Sequence, residues 1–220
     1  MRRYTTVLFD VDGTLVDSND AHAHAWVEAF AETGIPVPFS RVRRCIGMGG
    51  DKLMPAVAGI SEDSPEGERI SRRRAEIFKT KYLPHLKPFP DAGRLVPTIV
   101  ARGFTAVAAS SAKEDELRAL LKIAGAESLH SATSSDDAEA SKPEPDIIQA
   151  ALRQAHATPG EAVMIGDTPY DLEAASRAGV DAIAFRCGGW TDADLSGAIA
   201  IYDGPCDLLA RLDESPLGDA

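Results

Sequence analysis

Short apolar runs, each cut off by a polar residue or a glycine, set the architecture of this chain. Residues 4–10 hold Thr5, Thr6, Val7, Leu8 and Phe9, all β-favouring, and stop at Asp10. Residues 104–109, 162–165 and 180–185 share that character, and residues 198–202 share it more weakly. Strands that are apolar almost without alternation belong to a sheet covered on both faces. Helical patterns lie between them. Residues 114–124 place Leu117, Leu120, Leu121 and Ala124 on one stripe, and residues 145–155 do so with Ile147, Ile148, Ala151, Leu152 and Ala155. Residues 170–178 follow Pro169, which suits a first helical turn. Strand and helix alternate from about residue 90 to the end. That pattern predicts an α/β fold, a doubly wound parallel sheet of Rossmann-like type.

Residues 17–87 break the rhythm. Helical patterns at 19–33, 51–57 and 65–82 occur there without a convincing strand, and Pro84, Pro88 and Pro90 punctuate the return. Crossovers of a doubly wound sheet are usually shorter. The stretch 17–87 is therefore expected to be an inserted α-helical cap domain, and residues 1–16 with 88–220 the Rossmann-like core. Residues 213–220 read as an acidic, frayed tail.

The length, 220 residues, suits one sizeable core plus a smaller module. No apolar run approaches the ~20 residues that span a bilayer. The first apolar run is too short, and too soon interrupted by Asp10 and Asp12, for a signal peptide. A cytoplasmic protein without membrane attachment is expected, with a monomer as the default. Cys45, Cys187 and Cys206 are far apart and form no CxxC pair, so reduced, mostly buried thiols are expected rather than a disulfide or a zinc site. A formal charge of −11, with no basic stripe to offset it, excludes nucleic acid as a partner. Such a chain can handle an anion only by supplying positive charge locally.

Ligands of an open parallel sheet bind beyond the carboxyl ends of its strands. Asp10-Val11-Asp12-Gly13-Thr14 follows the first run, and Ser110-Ser111 follows the run 104–109. Ser141-Lys142-Pro143 precedes the helix of Ile147, and Gly166-Asp167-Thr168-Pro169-Tyr170-Asp171 follows the run 162–165. Brought to one edge, these four segments present acids, hydroxyls and a lysine, which suits phosphoryl transfer. A phosphate dianion repels a carboxylate nucleophile, so attack needs a cation between them. Mg2+ takes oxygen ligands and keeps several waters, and Asp10 and Asp167 can supply its carboxylates. Lys142 can balance charge on the transferring group, and Ser110 can donate to a phosphoryl oxygen. Asp12 can protonate the leaving oxygen and later take a proton from water. Each has a blander reading. Lys142 between Ser and Pro reads as an exposed loop lysine, although Pro143 and Pro145 stiffen that loop. Asp171 reads also as a first-turn helix residue. One of Ser110 and Ser111 reads as a plain helix cap.

Phe9-Asp10-Val11-Asp12-Gly13-Thr14-Leu15-Val16-Asp17-Ser18 resembles the first motif of the haloacid dehalogenase superfamily. Ser110 resembles its second motif, Lys142 its third and the segment from Gly166 to Asp171 its fourth, in order over about residues 4–212. The resemblance implies a phosphoric monoester hydrolase acting on a small phosphorylated metabolite. It implies Asp10 as the nucleophile that becomes an aspartyl-phosphate, and Asp12 as general acid and base. It implies Mg2+ held by Asp10, the carbonyl of Asp12 and Asp167, with Asp171 in support. Gly13, Thr14, Ser110, Ser111 and Lys142 form the expected phosphate-binding set. The insert is similar to the helical cap of phosphoglycolate phosphatase-like and β-phosphoglucomutase-like members. In that family the cap closes over the site and sets substrate choice.

His22 takes the place of a cap histidine of the mutases, whereas Gly50 stands where they carry an arginine for a second phosphate. A sugar phosphomutase is therefore the alternative function, and the weaker one. His22 and His24, two apart on a helix, share no face and make no metal pair. Gly47-Met48-Gly49-Gly50-Asp51-Lys52 has the wrong spacing for a Walker loop. Lys52 there either touches substrate or is merely solvated. Trp26 and Phe30, i and i+4, read as core. A receiver-type phospho-acceptor is disfavoured by the insert, and dehalogenation by Asp12.

Overall fold

The first apolar run forms strand β1 (Thr6–Phe9), buried at every position. The structure, a computed structural model, describes residues 4–218. After β1 come four helices, α1 (Asn19–Glu32), α2 (Phe39–Arg43), α3 (Gly50–Ala58) and α4 (Pro65–Ile77). Then follow α5 (Ala92–Ala101), β2 (Thr105–Ala109), α6 (Glu114–Ala124), β3 (Ser131–Thr133) and α7 (Asp146–Ala155). The chain closes with β4 (Ala162–Gly166), α8 (Pro169–Arg177), β5 (Asp181–Phe185), β6 (Ala200–Tyr202) and α9 (Pro205–Ala210). Two compact units result. One is Met1–Asp17 with Lys87–Ala220, and the other is Ser18–Leu86, one residue inside the expected bounds at each end.

The first unit is a six-stranded sheet in the order β3-β2-β1-β4-β5-β6, with every pairing parallel. This is the doubly wound α/β fold that the apolar runs imply. The chain builds outward from β1 through β2 to β3, then returns to β1's other side for β4. The switch point lies between β1 and β4, where Phe9 stands opposite Ile165. Leu8, Val107 and Met164 pack with Ile147, Ile148, Ala151 and Leu152 of α7 in one buried cluster. Burying a side chain such as Leu8 completely contributes about 1.5–3 kcal/mol.

The named elements of the second unit are all helical, joined by turns and one isolated bridge between Ile46 and Met48. Ser64 caps α4 by accepting the Gly67 N–H at 3.0 Å, with Pro65 at the first helical position. A π-helical turn, Phe78–Tyr82, extends that helix. Trp26, Phe30, Leu53, Met54, Ile70 and Phe78 are buried, Trp26 and Phe30 as the i, i+4 spacing implies.

Several features depart from expectation. β3 is a three-residue edge strand of Ser131, Ala132 and Thr133, too short and too small-sided to show a pattern. Residues 213–218 are not a frayed tail: Leu212 and Leu217 are buried and Ser215 caps the local turn, while residues 219–220 lie outside the described residues. The three cysteines are free, as expected, but none is buried: Cys45 and Cys187 are intermediate and Cys206 is exposed. No helix among the described residues is long and apolar enough to cross a membrane.

Candidate active site

Parallel pairing of β1 with β4 runs one residue past the strand. The Asp10 N–H donates to the Ile165 carbonyl at 2.9 Å, which sets Asp10 beside the end of β4. The chain then turns tightly. Gly13 takes a left-handed φ of 75° that disfavours other residues. Its N–H donates to the Val16 carbonyl at 2.8 Å, and the Leu15 N–H donates to Val11 at 2.9 Å. The turn returns Thr14 to the strand end, where its Oγ1 lies 3.0 Å from Asp10 Oδ2 and 2.9 Å from Asp167 Oδ1. One hydroxyl carries one proton, so Thr14 serves one of these carboxylates at a time.

Lys142 is not an exposed loop lysine. Its ammonium is 1% exposed and lies 2.6 Å from Asp10 Oδ1 and 2.7 Å from Asp171 Oδ1. Asp171 is shared between the start of its helix and Lys142. Its Oδ2 accepts from the Thr168 N–H at 3.0 Å and from the Thr168 hydroxyl at 2.7 Å, closing the capping box that starts α8. Its other oxygen faces Lys142. Gly166 lets Asp171 come this close, because a Cβ there would sit 2.5 Å from the Asp171 Cβ.

Asp10, Asp167 and Asp171 are all buried, and one carboxylate oxygen from each lies within 4.8 Å of the others. Against three carboxylates stands one ammonium. Burial pushes the Asp10 carboxyl up to about 7. The Lys142 charge opposes the shift, and the Asp171 and Asp12 carboxylates add to it. Lys142 is itself pushed up, because the Asp10 and Asp171 carboxylates outweigh the burial that alone would lower it. The lysine therefore stays charged. With every acid ionised the cluster carries two negative charges in excess. An all-oxygen donor set with that excess fits a hard divalent cation.

The remaining expected residues fall as follows. Asp12 is half-buried and its backbone bridges to Val16 in the same turn. Ser110 is buried, its N–H donating to the Thr133 carbonyl at 3.1 Å and its Oγ accepting from the Ala112 N–H at 3.1 Å. The Ser111 hydroxyl is buried without a hydrogen-bond partner among the described residues. Neither serine caps α6, as one of them was expected to. Lys113 holds the cap position, and Asp136 Oδ2 accepts the Glu114 N–H at 3.1 Å. His22 and Lys52 belong to the helical unit. His22 is buried, stacks on Phe78 with ring centroids 4.0 Å apart, and places Nδ1 2.5 Å from the Arg74 guanidinium. Lys52 is 39% exposed beside Asp51.

Residues 7–185 match the haloacid dehalogenase-like hydrolase family. The chain belongs to that family. Over 207 residues it is 28% identical to a phosphoglycolate phosphatase of Rhodospirillum rubrum, covering 90% of this chain and 86% of that one. It is 32% identical over 192 residues to the chloroplastic protein SUPPRESSOR OF QUENCHING 1 of Arabidopsis thaliana, covering 84% of this chain but 18% of that longer protein. Among solved structures, a hydrolase from Pseudomonas syringae aligns with a TM-score of 0.89 at 30% identity, covering 96% of this chain and 98% of that one. As a haloacid dehalogenase-like hydrolase the chain is a phosphoric monoester hydrolase.

One segment at this sheet edge escapes a reading of the sequence for chemistry. Arg186-Cys187-Gly188 follows β5, and the Cys187 Sγ–H donates to the Gly13 carbonyl at 3.3 Å. Burial pushes the Cys187 thiol well up, and the nearby Asp167 carboxylate adds to the shift, so it stays protonated as that donor. The segment follows an apolar run as the other motifs do. Without a carboxylate or a lysine it carries no signal except its position.

Proposed function

We propose that this haloacid dehalogenase-like hydrolase is a Mg2+-dependent phosphatase of small phosphorylated metabolites that works through an aspartyl-phosphate on Asp10. The observation that supports the reading most is the buried Lys142 ammonium between Asp10 and Asp171, with Asp167 completing an acid cluster in charge excess. Asp10, Asp167 and the carbonyl of Asp12 would hold the ion, with Asp171 behind them. Bound there, the ion neutralises phosphoryl oxygens and so lets an anionic nucleophile approach an anionic substrate.

The rest is the work of side chains. Asp10 attacks phosphorus through a carboxylate oxygen, and the bond to the leaving oxygen breaks as Asp12 protonates it. Asp12 then takes a proton from water, whose oxygen attacks the aspartyl-phosphate and releases inorganic phosphate with Asp10 restored. Lys142 balances charge on the transferring group and holds Asp10 in line. The Ser110 hydroxyl and the unsatisfied Ser111 hydroxyl offer donors to the phosphoryl oxygens.

The mutase alternative gains nothing from the helical unit. Gly50, where the mutases carry an arginine, lies against an acid: a Cβ there would meet Glu62 Oε1 at 2.6 Å. A carboxylate is a poor neighbour for a second phosphate. Phosphoglycolate, named in the Rhodospirillum relative, heads the panel of candidate substrates. The test is inorganic phosphate release from phosphorylated metabolites with Mg2+, with EDTA, and with Mg2+ restored. Release that chelation stops and Mg2+ restores is expected. Turnover indifferent to EDTA sinks the cation's role, and glucose 6-phosphate formed from β-glucose 1-phosphate without phosphate release favours the mutase.

A further inference from the structure

The loop after β5 touches both sides of the acid cluster. Cys187 reaches the Gly13 carbonyl, in the turn that carries Thr14. Its neighbour Gly188 is buried against Asp167. A Cβ at 188 would lie 1.8 Å from Asp167 Oδ2, 2.4 Å from its Cγ and 2.5 Å from its Cβ. Atoms do not share such distances, so a side chain at 188 and the Asp167 carboxylate in its observed place exclude each other. The backbone does not explain the glycine. Gly189 has the left-handed φ of 89°, whereas Gly188 is not among the positive-φ residues. Alanine suits the backbone at 188, and among the nearest atoms it meets only those of Asp167. The same loop carries a forked ion pair at the surface. Arg186 forks onto Asp192, with Nε 2.6 Å from Oδ1 and Nη2 2.9 Å from Oδ2, and its Nη1 donates to Asp203 Oδ1 at 2.8 Å.

We propose that Gly188 is a positioning residue of the cation site: the lack of a side chain at 188 is what lets Asp167 aim its carboxylate at the cluster of Asp10 and Asp171. The inference rests on reading that cluster as a divalent-cation site. Because a Cβ at 188 would also lie 2.5 Å from the Asp167 Cβ, side-chain rotation alone does not relieve the clash; Asp167 moves as a whole, carboxylate included, while no ligand is removed, so the change weakens the ion rather than the phosphate contacts.

The test is calorimetric titration of Mg2+ alone into the wild type, Gly188→Ala and Gly160→Ala, the last a control whose Cβ meets nothing within 4 Å. Gly188→Ala is expected to bind Mg2+ ~10-fold or more weakly, the scale of losing a partner that orients a metal ligand. Gly160→Ala should bind as wild type does. The half-activating Mg2+ concentration should rise by the same factor, while substrate KM at saturating Mg2+ holds. A merely structural glycine would lower the thermal midpoint in EDTA and leave the Mg2+ affinity of the folded protein unchanged. That result overturns the proposal. Should Gly188→Ala fail to fold, the change is repeated in an Asp167→Gly background. A recovered cooperative transition supports the steric exclusion between 188 and 167 on which the inference stands, and its absence there overturns it. A wild type that takes up no Mg2+ refutes the cation site itself. The coupling between positions 188 and 167, read as stability in the same double variant, then decides the role of Gly188 separately.

Discussion

Lys142 beside Asp10 and Arg73 beside Glu32 are both ion pairs, and they cost the fold very different amounts. The Lys142 side chain is 1% exposed and its partners Asp10 and Asp171 are 9% and 1% exposed. Arg73 and Glu32, in the helical unit, are 44% and 49% exposed. Taking a charge out of water costs several kcal/mol, which close geometry recovers only in part. An exposed pair costs little and contributes little. Around Arg73 the acids Glu32 and Glu76 stand at the surface, where water screens whatever they leave unbalanced. At the sheet edge three buried carboxylates crowd one ammonium. Stability alone gives no reason to gather such a cluster, and chemistry does.

The sharpest break in this comparison comes at Asp10. Asp10→Asn should lower phosphate release by about 10³-fold or more, by removing the nucleophile. Because it also removes excess buried charge, its thermal midpoint in EDTA should not fall. Activity above a few per cent of wild type would refute the nucleophile, and a large drop in midpoint would refute the charge argument. Lys142→Met comes next. It strands buried carboxylates and should cost about 3–5 kcal/mol in urea unfolding, besides activity. A cost under ~1 kcal/mol would erase the distinction between the two kinds of pair.

A smaller effect is read through pH. In EDTA the folded Asp10 holds its proton up to about 7, against an ordinary value of 3.8. Between these values the folded state binds the proton that the unfolded state has released. Stability from this group is therefore full below pH ~4 and is lost as pH rises toward ~7. Subtracting the Asp10→Asn profile from that of wild type isolates it. A difference that grows in the wild type's favour with rising pH would give the opposite sign and contradict the buried-charge account. The smallest effect belongs to the helical unit: Arg73→Ala should leave the urea midpoint close to that of wild type, and closer still at high salt. A loss there as large as that of Lys142→Met would show that exposure is the wrong criterion.

How much could be read beforehand follows the same physics. β1, β2, β4 and β5 were legible because burial on both faces leaves a near-continuous apolar run, too short for a helix and cut off by polar residues or glycine. β3 was not, since Ser131, Ala132 and Thr133 are small and pair along β2 alone. The acids of the site were legible because carboxylates at strand ends are conspicuous. The burial of Lys142 was not. It depends on Asp10, 132 residues away along the chain, and local text between a serine and a proline points to solvent. Gly188 was the hardest to see, because what it contributes is room, and room has no letter in a sequence.

The place of β1 between β2 and β4 has a consequence for a chain made from its N-terminus onward. Asp10 leaves the ribosome well before Ile165, whose carbonyl holds its backbone. Until residues 162–166 emerge, the nascent sheet can pair β1 with β2 only, and one edge of its central strand stands open. The stretch from β4 into α8 brings that edge partner, Asp167 and Asp171 together. Translation thus completes the hydrogen-bonded frame and the acid cluster in a single late step.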